Sequence, residues 1–204
     1  MKKGMIVAIT GQTGSGKSTL SKFYASKGLP VIDCDEVAKH IRTFPGCQQQ
    51  LAEHFGMEVL TQGKINTGIL YERAFKDEES LQKLTDITHP FIVKEILRRA
   101  DEAFEKGEEI VFVDGAVIIG HSFEEYCDKF IVVVAHVNTQ CERLMKRDSI
   151  TYEQAKARIM KQTPYSDMLK KADYVINNNK SIMNLISQGE FVIRQLIDVQ
   201  EVLL

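Results

Sequence analysis

The sequence predicts an α/β protein, with a five-stranded parallel sheet between layers of helix, a helical insertion beside the sheet and a helical lid. Three observations carry that expectation. Five short Val- and Ile-rich runs alternate with longer segments of helical period. The runs show little polar alternation, as expected of strands covered on both faces. A glycine-rich loop joins the first run to the first helical segment.

The first strand is MIVAIT, Met5 to Thr10, and the helical segment after the loop runs from Lys17 to Ser26, stopped by Gly28. The second strand is PVID, Pro30 to Asp33. From Asp35 to Gly107 no further strand is expected, only helical stretches such as QQQLAEHF and LYERAF, and a helix from Pro90 to Lys106 with proline in its first turn and Gly107 at its end. The third and fourth strands are IVFVD, Ile110 to Asp114, and FIVVVA, Phe130 to Ala135. A cation-rich helical stretch, Thr139 to Lys171, precedes the fifth strand, YVIN, Tyr174 to Asn177; the tail from Ser181 to Leu204 reads as an amphipathic helix interrupted at Gly189. The expected organisation is one domain, with a core of 1–35, 107–138 and 172–204, a helical insertion at 36–106, and a lid at 139–171.

A chain of 204 residues is long enough to bury its own core. Its four cysteines, Cys34, Cys47, Cys127 and Cys141, have neither CxxC pairing nor zinc-ligand spacing, and no signal-peptide pattern opens the chain, which suggests a reducing, cytoplasmic setting. A formal net charge of -2 and a pI near 6.2 speak against a nucleic-acid surface. No apolar run approaches the roughly 20 residues that span a bilayer. A soluble protein acting on a small molecule is expected, as a monomer or weak homo-oligomer.

GQTGSGKS, Gly11 to Ser18, matches GxxxxGK[ST] in full and sits between a strand and a helix, where a phosphate cradle has to sit. Backbone N–H groups along the loop and the helix start, from Gly11 through Thr13, Gly14, Ser15 and Gly16 to Thr19, would face the phosphates of ATP. Lys17 would reach the terminal phosphates, and the Ser18 hydroxyl would ligate Mg2+.

A phosphate cradle does not name an acceptor. VIDCDEVAKHI places Asp33 and Asp35 at the end of the second strand, and in an extended backbone both carboxylates would point into one cleft. One could take the proton of an attacking hydroxyl while the other orients it; a helix N-cap is the competing role for either. Asp114 ends the third strand, where a Mg2+-associated carboxylate and a simple strand-end turn are both open. In QCERLMKRDSITYEQAKARIMKQ, Arg143 and Arg147 lie four apart on one helix face, suited to stabilising a transferred phosphoryl group, although solvated cations are common on such a face. THPF, Thr88 to Phe91, reads as a helix start. His40, His54, His121 and His136 show no ligand pattern.

Taken in order, GQTGSGKST, VIDCDEVAKHI, HFG, THP, CDKFIVVVA, QCERLMKRD, ARIMKQ and ADYVINN resemble the dephospho-coenzyme A kinase family, from about Met5 to Asn178. The resemblance implies a three-layer P-loop kinase of the nucleoside-monophosphate-kinase type. It also implies the reaction: ATP phosphorylates the ribose 3'-hydroxyl of dephospho-coenzyme A (EC 2.7.1.24), the last step of coenzyme A synthesis. By position, Asp35 becomes the general base and Asp33 its acidic neighbour. His89 and Lys39 fall in the acceptor site, Arg143 and Arg147 in the lid, and Asn178 in the adenine-side loop.

The chain departs from the family where Pro-Leu-Leu-Phe-Glu is usual, having Ala116, Val117, Ile118, Ile119 and Gly120 instead. Three positions commonly Arg are Lys39, Thr67 and Val93. Threonine or valine loses both the charge and the bidentate fork. Two other readings therefore stay open: a related P-loop kinase with another small acceptor, and a nucleotide-binding regulator without catalysis. Intact Lys17, Asp35 and Arg143 count against the regulator.

Overall fold

A computed structural model describes residues 4–116, 118–120 and 122–203, with side chains through residue 197. Val117 and His121, like residues 1–3 and 204 of the expected core, lie outside the described residues. The chain opens with β1 (Met5–Thr10), α1 (Lys17–Ser26), β2 (Val31–Asp33) and α2 (Cys34–His40). Next come α3 (Pro45–Phe55), β3 (Leu60–Thr61), β4 (Lys64–Ile65), α4 (Thr67–Ala74) and α5 (Glu78–Glu105). It ends with β5 (Ile110–Asp114), β6 (Lys129–Val134), α6 (Val137–Asp148), α7 (Tyr152–Met160), α8 (Tyr165–Met168), β7 (Tyr174–Asn177) and α9 (Ile182–Leu203).

The five expected strands form one sheet in the order β2-β5-β1-β6-β7. Parallel pairing sets Ile9 beside Asp114 on one side of β1 and Thr10 beside Val132 on the other. The glycine-rich loop thus leaves the carboxyl end of the central strand, where open parallel sheets bind ligands. Met5, Val7 and Ile9 pack with Leu20 and Tyr24 of α1 and with Leu185, Val192 and Leu196 of α9, while Ile6 and Ala8, pointing the other way, are buried too. Burial on both faces is the physical source of the unalternating runs. Each such side chain contributes roughly 1.5–3 kcal/mol.

Two compact units are resolved by contact density, Met1–Ile32 with Ala100–Leu204, and Asp33–Arg99. The first holds the phosphate loop, most of the sheet and the stretch from α6 to α8. In that stretch Cys141 and Leu144 of α6 pack on Ala155 and Ile159 of α7, and Thr151 and Gln154 close a capping box. The second unit is built from α2, α3, β3, β4, α4 and α5 as far as Arg99.

Three sequence expectations are corrected. A short hairpin, β3–β4, lies where no strand was expected: Leu60 pairs with Ile65 and Thr61 with Lys64 around Gln62 (φ 51°) and Gly63 (φ 73°). Two positive-φ turn residues suit a two-residue hairpin, and two-residue strands are too short to show a period. Pro90 does not open a helix but lies inside α5. That helix starts a dozen residues earlier, where the Asp77 carboxylate accepts the Ser80 N–H at 2.7 Å, and it runs on because Ile87 and Ile96 are buried on either side of the proline. That packing outweighs the proline's cost of about 3 kcal/mol. Gly189 does not interrupt α9. A Cβ there would stand 2.7 Å from Leu20 Cδ1, so glycine lets α1 and α9 approach, and the Tyr24 hydroxyl donates to the Gly189 carbonyl at 3.2 Å.

Candidate active site

The phosphate loop is shaped by glycines and held from outside. Gly16, at φ 99°, is the N-cap of α1, and any Cβ there would collide with the Asn178 side chain. Asn178 donates its side-chain amide to the Ser15 carbonyl at 2.7 Å, and its own N–H to Val134 at 2.8 Å. That bond fixes the loop carbonyl just ahead of α1, whose N-terminal end carries the positive pole of the helix dipole that favours an anion. The Lys17 ammonium donates to the Gly11 carbonyl at 2.7 Å, folded onto its own loop.

Arg143, from α6, donates Nη1 to the Gly14 and Ser15 carbonyls at 3.1 and 3.2 Å, and Nη2 to the Asn178 carbonyl at 2.9 Å. It meets the phosphate loop through carbonyl oxygens. Arg147 does not join it: its guanidinium grips Asp148 through two hydrogen bonds, and Asp148 also accepts from Arg158 at 2.6 Å. Those two guanidinium partners hold the Asp148 carboxyl down at about 2.

Asp114, at the end of β5, accepts from the Ser21 hydroxyl at 2.6 Å. Ser21 lies one turn after Ser18 on the same face of α1, and the Ser18 hydroxyl is exposed. A serine hydroxyl and a carboxylate, completed by phosphate oxygens and water, form the all-oxygen set that Mg2+ takes. Among the described residues no group of three His, Cys, Asp or Glu is placed to hold a metal by itself.

Asp33 and Asp35 both belong to the second unit. Asp33 is the N-cap of α2, its Oδ1 accepting from the N–H groups of Asp35 (2.7 Å) and Glu36 (3.2 Å). Asp35 therefore sits in the first turn of a helix and not two residues along an extended strand, so the alternation argument for the pair is corrected. Asp35 instead shares a helix face with Lys39, four residues on, and both side chains are exposed. His89 is half-buried on α5.

Several residues were not singled out from the sequence. Tyr165 stands behind the loop, its hydroxyl accepting from the Ala135 N–H at 3.3 Å and from Gln140 Nε2 at 3.1 Å; burial pushes its phenol up. Glu95 is 3% exposed and accepts from Arg98 Nε (2.7 Å) and Nη2 (2.8 Å) and from Arg99 Nε (2.8 Å). Glu95 and Tyr165 stand alone in the sequence; only contacts made by folding mark them.

Comparison with known proteins identifies the family. A family model described as dephospho-CoA kinase matches residues 5–184. The chain belongs to the dephospho-CoA kinase family. A dephospho-CoA kinase from Listeria monocytogenes is 37% identical over 182 residues, spanning 88% of this chain and 90% of its own. One from Fusobacterium nucleatum is 34% identical over 190 residues, spanning 91% and 95%. Among solved structures, a Campylobacter jejuni dephospho-CoA kinase is 27% identical with a TM-score of 0.71, over 94% of this chain and 96% of that one. A Thermus thermophilus protein is 25% identical with a TM-score of 0.79, over 95% and 98%. A shikimate kinase from Acinetobacter baumannii, 14% identical with a TM-score of 0.57 over 96% and 94%, shares the three-layer P-loop fold. Membership in the family favours neither a different acceptor nor a non-catalytic regulator.

The family-divergent positions are dispersed. Thr67 opens α4 in an exposed turn, Val93 is half-buried on α5, and Lys39 is exposed on α2. Ile118 and Ile119 are buried, and the Gly120 N–H donates to the Glu124 carboxylate at 2.6 Å.

Proposed function

We propose that the chain transfers the γ-phosphoryl group of ATP to the ribose 3'-hydroxyl of dephospho-coenzyme A, releasing ADP and coenzyme A, the final step of coenzyme A synthesis. The observation that carries this reading is a complete phosphate loop at the end of the central strand, in a chain that matches its family over residues 5–184. The alternatives of another acceptor or a pure regulator have no comparable support.

The loop and the head of α1 hold the β- and γ-phosphates of ATP. Lys17 exchanges the Gly11 carbonyl for phosphate oxygens, a short swing for an ammonium on a flexible stem. Ser18 and Asp114 would hold Mg2+, which would supply positive charge against the phosphates. Asp35 accepts the proton of the attacking hydroxyl, and Asp33, by fixing the Asp35 N–H at 2.7 Å, positions the backbone that carries the base. Arg143 keeps the loop in shape and supplies positive charge beside it, with Arg147 in support from the same helix, while Asn178 lines the adenine side. Lys39 and His89 contact the acceptor. The segment 139–171 closes over the substrates to exclude water, because an exposed γ-phosphate is lost to hydrolysis.

No described helix is long and apolar enough to cross a membrane. The reading takes the enzyme as cytoplasmic, a monomer or weak homo-oligomer, acting without nucleic acid. The test is ADP release by the full chain with Mg-ATP. Release that requires dephospho-coenzyme A and disappears in Asp35→Asn supports the reading. Release that ignores the acceptor, or survives Asp35→Asn, contradicts it.

A further inference from the structure

The apex of the phosphate loop is gripped on both sides of one residue. The Thr13 N–H, expected from the sequence to face phosphate, instead donates to the Gln162 side-chain carbonyl at 2.7 Å, and the Thr13 carbonyl accepts from Gln140 Nε2 at 2.9 Å. Next to it, Gln12 donates its side-chain amide to the Thr163 carbonyl at 3.1 Å. Gln140 is 1% exposed and also donates to the Tyr165 hydroxyl, which the Ala135 N–H ties to the end of β6. Gln162 stands just beyond α7, so the two glutamines come from opposite legs of the α6–α7 hairpin.

A loop rich in glycine has many conformations to lose before its N–H groups converge on a phosphate. Grips from outside reduce that loss in advance, and preorganisation appears as affinity. The N–H of Thr13 has to point at Gln162 for its bond to form, and this sets the peptide plane from which the chain turns into Gly14.

We infer that Gln162 is a positioning residue for ATP: its side-chain carbonyl, with Gln140 on the other side of Thr13, holds the loop in its phosphate-accepting form. This rests on the kinase reading, but nucleotide binding tests it without turnover. Gln162 is half-buried, so methionine keeps its volume while removing the acceptor.

In full-length Gln162→Met, the Kd for a non-hydrolysable Mg-ATP analogue, measured by calorimetry, rises about tenfold, the scale of one lost hydrogen bond. Exchange of the Thr13 amide hydrogen speeds up by a similar factor, KM for ATP follows the Kd, and KM for dephospho-coenzyme A and Tm stay at wild-type values. Gln162→Glu, which keeps an acceptor, keeps Thr13 protected. Should Gln162→Met fail to fold, Gln162→Ala carries the same measurements. Unchanged analogue affinity and Thr13 protection in a folded variant overturn the inference, as does a fall in Tm and active fraction with KM for ATP unmoved. If wild-type protein binds the analogue but leaves dephospho-coenzyme A unmodified, the acceptor assignment fails while these binding results still decide the role of Gln162.

Discussion

Arg143 and Asn178 form a cross-brace behind the phosphate loop. Arg143 donates to the Asn178 carbonyl at 2.9 Å, Asn178 donates to the Ser15 carbonyl at 2.7 Å, and Arg143 also reaches Ser15 at 3.2 Å. One arginine thus ties α6, the residue after β7 and the loop together. Arg143→Ala is expected to lower kcat/KM for ATP by about a hundredfold, the scale of removing one preorganised charged donor. Arg143→Lys recovers little of it, because an ammonium cannot span three carbonyls as a guanidinium fork does. Steady-state kinetics with ATP varied gives both values.

Lys17→Ala removes the loop ammonium proposed to follow the terminal phosphates. A fall in kcat of about 10²–10³-fold is expected, together with weaker ATP binding. Isothermal titration and single-turnover assays separate the two effects, and normal activity in this variant contradicts the phosphate-loop assignment.

Glu95 gives a pH prediction. Hydrogen bonds from Arg98, opposed by burial and reinforced by Arg99, hold its carboxyl down at about 2, against an ordinary value of 4.5. A carboxylate depressed in the folded state stabilises above its unfolded pKa, and that contribution is lost as pH falls from about 4.5 through about 2. With Arg98 and Arg99 partly solvated, on the order of 2 kcal/mol is at stake. Chemical denaturation of Glu95→Gln is expected to show that deficit at pH 7 and little difference from wild type at pH 2.

Gly189→Leu is expected to destabilise by about 1–3 kcal/mol, since a side chain there meets Leu20, Tyr24 and Phe23 of α1. Thermal unfolding reads the change, and KM values stay at wild type because no loop contact is altered.

The sheet and the phosphate loop were legible because each rests on a local signal. β1 and β5 are apolar on both faces, and GQTGSGKS needs only its own spacing. The failures came where tertiary packing overrides local preference. Pro90 looked like a helix start, but buried Ile87 and Ile96 carry α5 through it; Gly189 looked like a break, but it is where two helices touch. The motif drew attention to Lys17 and helix position to Arg143, and both donate to carbonyls of the loop. The capping role of Asp33 was weighed as the competing reading, and the pairing of Asp33 with Asp35 was misjudged because the strand ends at Asp33 and the helix begins at Cys34, before Asp35 is reached. Gln140 and Gln162 lie in the family-like QCERLMKRD and ARIMKQ, but nothing in those motifs ties them to a loop 127 and 149 residues away.

The most direct measurement is 31P NMR of the product after the full chain is incubated with Mg-ATP and dephospho-coenzyme A. A new phosphomonoester resonance assigned to the ribose 3' position, stoichiometric with ADP and absent with Asp35→Asn, is the predicted result. Demonstrable ATP binding with no such resonance at high enzyme concentration, or a phosphomonoester at another position, contradicts the account.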